Sequence, residues 1–430
     1  MTSSITKNRR QGQHAEQTGS SVSIPLVDLL HDAEAGLLGL AVQVGLRVLQ
    51  ELMDQEVTAI AGPKGRHNPQ RTAVRHGVED GYVFLGDRRV PVTHPRVRTT
   101  IGQEVPLTTY QTFQDAGVAT QAILERMLFG LASRQQGHAN PALSAAVGTH
   151  GLSKSAVSRR FIRATQQALD TFMQRSLGDR IWTVLMVDGI RVGGHLVVVA
   201  LGIDDAGTKR ILGLAEGATE NSAVVKSLLT DLMERGFTIP EGHGLLAVID
   251  GAKALAKAVR EVFGDRVHIQ RCQIHKTRNV LDHLPESMQA TVRSRLRKAY
   301  QEADAAKALK ALQKLAEELE RDYPQAANSL REGLDETLTV HRLGLSGTLR
   351  RSLATTNPLE SVNSQFRTHA QNVKRWTNGV QVLRWLASAS LFLEDKLQRL
   401  SGYRDIPQLQ HALRPVSDRD VVQRKEIPVG

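Results

Sequence analysis

The chain has 430 residues, of which 41% are hydrophobic and 23% charged, and this length predicts about two to four globular domains. Its formal net charge of +11 and its pI near 9.9 favour a polyanionic partner such as nucleic acid, although an arginine-rich proteome would give the same balance. The single cysteine, Cys272, excludes an internal disulfide and a multi-cysteine zinc site. The amino terminus is polar, and the longest apolar run is only Leu196–Ile203, which predicts a cytoplasmic protein without a secretory signal or a membrane span.

The amino-terminal region predicts a helix followed by a basic hairpin. Residues Met1–Ser21 are polar and rich in Gly, Ser and Gln, which predicts a disordered tail. Leu26–Met53 has the apolar spacing of an amphipathic helix. Gly81–Leu85 and Arg89–His94 alternate in polarity on either side of a Gly-Asp-Arg turn, which predicts a hairpin. Because basic residues outnumber acidic ones here, the hairpin either lies along DNA phosphates or is a solvated surface.

Residues Thr120–Gln167 predict three helices with short connections, which is the pattern of a helix-turn-helix. Helices at about Thr120–Ser133 and Pro141–Val147 precede a third that begins at Ser153, whose hydroxyl can accept a hydrogen bond from a free backbone N–H. Because the second helix of a helix-turn-helix enters the major groove, the polar and basic face of the third helix is predicted to contact DNA through Lys154, Ser155, Arg159 and Arg163. An ordinary packed helix with a basic face is the alternative.

The pattern changes to strands after Ile181. Three strands come first, and helices then alternate with further strands, which predicts an α/β domain with a mixed sheet flanked by helices, as in RNase H-like folds. The predicted strands are Trp182–Val187, His195–Ile203, Arg210–Leu214, Gly244–Ile249 and Arg266–Gln270, and the predicted helices are Ser222–Arg235 and Lys253–Phe263. Strongly helical patterns follow at Pro285–Tyr323 and Pro358–Leu400.

Two aspartates stand directly after apolar runs that read as buried strands. Asp188 is the middle residue of the string Val-Asp-Gly, and Asp250 is the middle residue of the string Ile-Asp-Gly. Asp-Gly alone is more typical of a turn than of a site. The intervening segment holds two more strands and a helix, however, so the two Asp-bearing strands can be neighbours. Adjacent carboxylates repel unless a cation neutralises them, and Mg²⁺ prefers oxygen ligands and bridges phosphates. The pair therefore predicts a metal site, with Mn²⁺ as the alternative ion.

Glu360, in Thr355–Glu360, is the candidate for a third carboxylate. Its local alternative is structural: Asn357 can cap a helix, Pro358 suits the first helical position, and Glu360 then completes a capping-box pattern. A helix start also holds a carboxylate rigidly, as a metal site needs. The long gap after Asp250 exceeds one helix and one strand, so a helical insertion is predicted between them.

Cys272 and His275 follow a predicted strand with the spacing of a shared metal site. No second pair completes a zinc site, so zinc is not expected. The pair is either a packed cysteine with a polar histidine at a helix start, or a set in which the histidine supports the metal ligands or contacts phosphate. Neither a phosphate-binding P-loop nor a serine nucleophile elbow occurs in the sequence.

Taken together, these motifs resemble a bacterial insertion-sequence transposase of the Mutator type, a family with an Asp-Asp-Glu triad. The resemblance extends over about Gly77–Leu409 and rests on five strings: VDGI (Val187–Ile190), VIDGAKAL (Val248–Leu255), RCQIHKTRNV (Arg271–Val280), TTNPLESVNSQFR (Thr355–Arg367) and NVKRW (Asn372–Trp376). It implies an RNase H-like core split by an all-helical insertion. Asp188, Asp250 and Glu360 would be the metal-binding catalytic residues, and Cys272 and His275 the family's C-x-x-H element.

The residue patterns and the resemblance together predict a division of the chain and a set of partners. Lys253, Lys276 and Arg278 are predicted phosphate contacts. The partner would be double-stranded DNA, as terminal inverted repeats and as target, bound in the bacterial cytoplasm at the nucleoid by a homodimer or larger assembly that synapses two ends. The predicted regions are 1–21 (tail), 22–115 (helix and basic hairpin), 116–175 (helix-turn-helix), 176–285 (first part of the core), 286–352 (helical insertion), 353–405 (carboxyl-terminal core helices) and 406–430 (tail).

Two other functions fit parts of the pattern. A non-catalytic DNA-binding regulator, or an inactivated relative of a transposase, would use the helix-turn-helix without the carboxylates. A resolvase-like nuclease would keep the carboxylates but prefer branched DNA to a particular terminal sequence. Divalent-metal-dependent nicking at the element's own ends separates these alternatives from a transposase.

Overall fold

The computed structural model describes residues 36–66, 71–85, 88–114, 124, 127, 128, 154–217, 222–345, 347–371 and 373–415. These residues fall into two compact units, divided along the chain as 1–123 with 133–157 and 124–132 with 158–430. The predicted tails, the element Pro141–Val147 and the cap at Ser153 lie outside the described residues. Of the predicted helix Thr120–Ser133, Leu124, Met127 and Leu128 are described, and they are helical.

The first unit packs a long helix against a hairpin. Its elements are α1 (Gly36–Ala61), β1 (Ala73–Leu85), β2 (Arg88–Thr99), β3 (Glu104–Val105) and α2 (Thr108–Gln114). The predicted hairpin is confirmed and is longer than expected, because β1 and β2 pair in antiparallel register from Leu85 and Arg88 to Ala73 and Thr99. Met53 and Val57 of α1 are buried against Val83 and Val97 of the hairpin.

Part of the hairpin's positive charge is neutralised within the unit. Arg96 donates to Glu104 Oε1 at 2.8 Å and lies 3.3 Å from Glu79, while Arg98 Nε donates to Glu104 Oε2 at 2.8 Å. Hydrogen bonds from these two arginines lower the pKa of Glu104 to about 2. The counts of basic and acidic residues that suggested a phosphate-binding surface therefore overstate the free charge on this strand.

A single helix, α3 (Lys154–Gln174), corresponds to the predicted third helix of the helix-turn-helix. Val157, Phe161 and Ala164 are buried, as the apolar spacing predicts. Ser155, Arg159 and Arg163 are exposed, and the side chain of Lys154 lies outside the described set.

The second unit is built on a mixed sheet of five strands, namely β4 (Trp182–Val192), β5 (His195–Asp204), β6 (Lys209–Gly217), β7 (Leu245–Ile249) and β8 (Val267–Arg271). Their spatial order is β6-β5-β4-β7-β8. The three consecutive strands β4, β5 and β6 pair antiparallel, whereas β7 is parallel to both β4 and β8. The predicted mixed sheet is thus confirmed, with the two Asp-bearing strands as neighbours.

Two helices pack against this sheet: α4 (Ser222–Glu234) contacts β6, and α5 (Lys253–Phe263) contacts β7 and β8. Helix α6 (Gln273–Leu281) follows β8. Leu229 of α4 and Val259 of α5 are fully buried against Leu185 and Ala247 of the sheet. Burying such side chains stabilises the unit by about 1.5–3 kcal/mol each, which explains the near-continuous apolar runs of these strands.

A helical segment with its own core separates β8 from the carboxyl-terminal helices. It consists of α7 (Glu286–Gln301), α8 (Ala305–Glu320), α9 (Pro324–Arg331), α10 (Thr339–Arg342) and α11 (Gly347–Leu353). Leu296 of α7, Leu312 of α8 and Leu330 of α9 are fully buried in a cluster separate from that of the sheet. This is the all-helical segment that the long gap after Asp250 predicts.

The chain ends its described part with α12 (Asn357–Ala370), α13 (Gly379–Glu394) and α14 (Ile406–Leu413). Helix α12 packs against β4, and α13 packs against β6. Trp376, from the NVKRW string between them, covers the β4–β5 turn, where a Cβ on Gly193 would lie 1.9 Å from the indole Cδ1. Gly193 also has a φ of 58°. Both the close approach of the indole and the positive φ therefore favour glycine at this position.

A buried amide joins the helical segment to the sheet. Gln270 on β8 is fully buried, and its Nε2 donates to Thr337 O at 2.8 Å. Its Oε1 accepts from Val340 N at 2.9 Å. Both partners belong to the segment around α10, so one side chain satisfies backbone groups that the docking of this segment removes from water.

Gln270→Ala is therefore expected to lower the free energy of unfolding of this unit by about 2–4 kcal/mol, because it leaves the Val340 N–H buried without an acceptor and opens a cavity. Urea unfolding followed by circular dichroism measures the change. Gln313→Ala, at an exposed position of α8, is the matched control and should change stability by less than about 0.5 kcal/mol. Equal effects of the two substitutions would mean that the amide does not support this junction.

Candidate active site

Asp188 and Asp250 lie side by side on neighbouring strands. Val187 of β4 is in register with Ile249 of β7, and the two strands run parallel. The next residue along each strand is the aspartate, so both carboxylates leave the sheet at one level. Asp188 is 9% exposed, and Asp250 is half-buried. The sequence prediction that the two strands bring these residues together is confirmed.

The two Asp-Gly strings have different local structures. Asp250 directly follows β7, and its Oδ1 accepts from Ala252 N at 2.8 Å, in a turn that leads into α5. Asp188 is not at a strand end, because β4 continues to Val192 in antiparallel pairing with β5. The prediction that each aspartate ends its strand is therefore wrong for Asp188: only the pairing of β4 with β7 stops there.

Glu360 reaches the same region from the first turn of α12. Its Oε1 lies 3.7 Å from His275 Nε2 and accepts from Thr356 Oγ1 at 3.3 Å. The buried Thr356 also donates from its backbone N–H to Cys272 Sγ at 3.4 Å. The loop before α12 is fixed to α6 by a backbone hydrogen bond from Gln273 N to Ala354 O at 3.0 Å. Cys272, His275 and Thr356 thus hold the helix that carries Glu360.

His275 is the shared neighbour of the three carboxylates. Its hydrogen bond with Cys272 raises its pKa to about 9; burial opposes this, and the charges of Asp188 and Asp250 add to the rise. Burial would raise the pKa of the Cys272 thiol, but hydrogen bonds from His275 and Thr356 lower it below its usual value. The contact with Cys272 and the nearby carboxylates therefore favour the protonated form of His275.

The capping alternative for Glu360 is wrong in its details. The residue before α12 is Thr356, not Asn357, and no side chain caps the helix there. Glu360 sits one turn after Thr356 and receives its hydroxyl, while its own backbone N–H donates to Thr356 O at 2.9 Å. The carboxylate is therefore directed to the side chains around His275 instead of to the backbone N–H groups of the helix start.

The donor chemistry of the three carboxylates fits a hard cation such as Mg²⁺. Asp188 and Asp250 supply oxygens from adjacent positions, and the cluster contains only one thiol, as Mg²⁺ rather than Zn²⁺ would favour. Within the described ranges, no group of three or more His, Cys, Asp or Glu side chains is arranged to hold a metal ion. Metal binding by the triad thus remains a prediction from the sequence and from this donor set.

The three predicted phosphate contacts differ in accessibility. The ammonium of Lys253 is exposed at the start of α5 and lies 3.3 Å from Glu332. Arg278 is exposed on α6. Lys276 is buried, and its Nζ donates to Ser329 O at 2.6 Å and to Glu332 O at 2.7 Å. Burial lowers the pKa of Lys276 to about 8. Both carbonyl acceptors belong to the helical segment. These hydrogen bonds argue against the predicted contact of Lys276 with phosphate.

Thr356 is the residue of this site that the sequence reasoning missed. The signal was its position four residues before Glu360, which puts the two on one helix face. Thr356→Val keeps the shape but removes the hydroxyl that contacts Glu360, His275 and Cys272. If the three carboxylates hold a metal ion that cleaves DNA, as the sequence predicts, this change should lower cleavage by about 10- to 100-fold, the usual effect of losing a group that orients a metal ligand.

Single-turnover cleavage assays measure this effect, with binding of the same DNA as a second readout that should hardly change. Thr368→Val removes a hydroxyl from an exposed position of the same helix and is expected to leave both readouts unchanged. If Thr356→Val cleaves as fast as the parent, the hydroxyl does not orient Glu360.

Comparison with known proteins adds a consistent set of relatives. The model of the family described as "Transposase, Mutator family" matches residues 30–398. The transposase of insertion sequence element ISRM5 from Rhizobium meliloti is 26% identical over 91% of this chain and 96% of its own. The transposase of IS6120 from Mycolicibacterium smegmatis is 32% identical over 54% of this chain and 72% of its own. That of IS256 in transposon Tn4001 from Staphylococcus aureus is 23% identical over 81% and 88%.

Proposed function

The chain belongs to the Mutator family of transposases, and from this membership we propose that it binds the ends of its mobile element, cleaves phosphodiester bonds there and transfers the freed strand with the help of two metal ions. The observation that carries the proposal is the adjacent register of Asp188 and Asp250, with Glu360 held nearby through His275. The mixed sheet with its antiparallel and parallel halves supports an RNase H-like core.

Asp188, Asp250 and Glu360 would hold the metal ions. When bound, Mg²⁺ or Mn²⁺ would activate water or a DNA 3′-hydroxyl and stabilise the leaving oxygen. The residues of the chain contribute the arrangement. The sheet fixes the two aspartates relative to each other, and Thr356 orients Glu360. His275 lies 3.7 Å from Glu360, and the charges of Asp188 and Asp250 favour its protonated form, which would reduce the repulsion between the carboxylates.

DNA would contact basic residues outside the carboxylate cluster. Arg159 and Arg163 are exposed on α3, where a helix-turn-helix would present its recognition helix. Lys253 and Arg278 are accessible near the site and would meet phosphates. In the described part of the chain no helix is long and apolar enough to cross a membrane. Because transposition joins two element ends, a homodimer or larger assembly would synapse them.

Incubation of the purified chain with labelled duplexes that end in the element's own terminal repeats tests this proposal. We expect cleavage at the repeat boundary with Mg²⁺ or Mn²⁺ and none with a chelator. Binding without cleavage under either metal would favour a non-catalytic regulator. Faster cleavage of branched DNA than of the terminal repeats would favour a resolvase-like nuclease. Either result would overturn the proposed transposase activity.

A further inference from the structure

A cavity of about 470 Å³ opens next to the candidate active site, between α6, α7 and α11. Gln273 and Ile274 of α6 form one wall, and they precede His275 directly. Thr355, which precedes Thr356, borders the opposite side. The volume is within the range of about 300–1,000 Å³ that ligand pockets occupy. None of the predicted site residues lines this cavity, so its chemistry is additional to that of the carboxylates.

The mouth of the cavity is strongly basic. Arg293, Arg297, Arg350 and Arg351 line it, and no acidic residue is among the described lining. Arg293 and Arg297 are exposed one turn apart on α7, and neither makes an ion pair with a described residue. Arg350 donates to the carbonyls of Gln301 at 3.3 Å and Glu302 at 3.2 Å, which fixes this wall to the end of α7. Such a mouth attracts a phosphate.

The interior of the cavity is largely apolar and is bordered by a buried histidine. Tyr300, Ala354 and His341 line it, and His341 is only 5% exposed. His341 Nε2 lies 3.1 Å from Tyr300 O, which can only accept, so this nitrogen carries the hydrogen. Burial lowers the pKa of His341, which favours the neutral imidazole with an acceptor at Nδ1. That atom is buried and has no partner among the described residues.

We propose that this cavity binds one nucleotide of the DNA substrate that has left the base stack, with its base in the interior and its phosphate on Arg293 and Arg297. A planar base matches the apolar walls, and the arginines at the mouth match its phosphate. Ile274 at the rim is 37% exposed, and it is the kind of apolar side chain that fills a gap between base pairs. This inference rests on the proposed function, since it requires a DNA substrate.

Fluorescence anisotropy with short duplexes of one sequence, in a chelating buffer that prevents cleavage, tests the inference. The three duplexes are fully paired, carry one extrahelical thymine, or carry one extrahelical abasic site. We expect the thymine duplex to bind about tenfold more tightly than the other two. Its base is already unstacked, so binding does not require the free energy of extruding it from the duplex. The abasic duplex separates capture of the base from simple recognition of a distorted backbone.

Two pairs of variants test whether the cavity causes the preference for the thymine duplex. Thr277→Phe fills the cavity from α6 and should abolish the preference, whereas Thr277→Val keeps the size of the side chain and should retain it. Arg297→Ala should weaken the thymine duplex more than the paired one. The matched control, Lys298→Ala, removes a charge from the exposed neighbouring position of α7, outside the cavity lining, and should weaken all three duplexes alike.

The inference is overturned if the parent protein binds the three duplexes equally, if the abasic and thymine duplexes bind alike, or if Thr277→Phe keeps the preference. Tighter binding of free dTMP than of the thymine duplex would also overturn it, because the cavity would then serve a free nucleotide. Cleavage of terminal-repeat DNA by a parent protein that shows no preference would reject only this inference. Absence of both DNA binding and cleavage would reject the proposed function itself.

Discussion

Replacing Asp188 or Asp250 by Asn is expected to lower the rate of DNA strand cleavage by roughly 10³- to 10⁴-fold, the scale on which loss of one member of a catalytic group falls. Asn keeps the size of the side chain, and its carbonyl oxygen can still accept from Ala252 N as Asp250 does. It lacks the negative charge that recruits Mg²⁺. Single-turnover cleavage measures the loss, and binding of the terminal repeats should remain within about twofold because phosphate contacts made elsewhere dominate affinity.

Asp205→Asn provides the matched control, since this aspartate is exposed in the turn between β5 and β6. It removes the same charge from the same unit and is expected to leave the cleavage rate unchanged. Near-parental cleavage by the Asp188 or the Asp250 variant would exclude that residue from the active site. A comparable loss in the Asp205 variant would show that overall charge, rather than a metal site, controls the rate.

Glu360→Gln is expected to reduce cleavage by roughly 10³-fold as well, and to lose the stabilisation that a divalent cation gives the parent. A ligand that binds only the native state stabilises it by RT ln(1 + [L]/Kd), about 2.7 kcal/mol at 100 times Kd. The parent should therefore melt several degrees higher in Mg²⁺ or Mn²⁺ than in a chelator. Without metal, the variant should melt close to the parent, because Gln can still accept from the Thr356 hydroxyl.

Glu317→Gln, at an exposed position of α8, serves as the control and should keep both the cleavage rate and the metal-dependent shift. An equal shift in the parent and in the Glu360 variant, together with retained cleavage, would contradict a metal-binding role for Glu360. The structure already shows that Glu360 does not cap its helix, so that outcome would require a different third carboxylate.

The order of elements around the two aspartates could be predicted because buried strands and amphipathic helices leave strong patterns. The helix Lys253–Phe263 has the predicted bounds, and β7 and β8 differ from their predicted bounds by one residue. The helical segment after β8 was predictable from the spacing alone. Burial determines which positions of a helix or strand are apolar. The resulting periodicity can therefore be recognised in a single sequence.

Features that depend on contacts between distant segments could not be predicted. Asp-Gly is usually a turn, and only the antiparallel partner β5 keeps β4 extended beyond Asp188. The burial of Lys276 depends on two carbonyls more than 50 residues away along the chain. The same holds for Thr356, which contacts Cys272 at the start of another helix. The DNA contacts of Lys154 and Ser155 stay predictions, because they involve a partner outside the chain.

The separation of the site along the chain has a consequence for the time at which the protein becomes active. Asp188 and Asp250 leave the ribosome early, but Glu360 and the threonine that orients it follow the whole helical segment. At translation rates of about 5–20 residues per second, the 110 positions from Asp250 to Glu360 (360 − 250) take about 5–20 s. A nascent chain already holding both aspartates on a folded sheet thus still lacks α12. If the proposed triad cleaves DNA, synthesis itself delays that activity, and a chain that terminates before Glu360 lacks the third carboxylate.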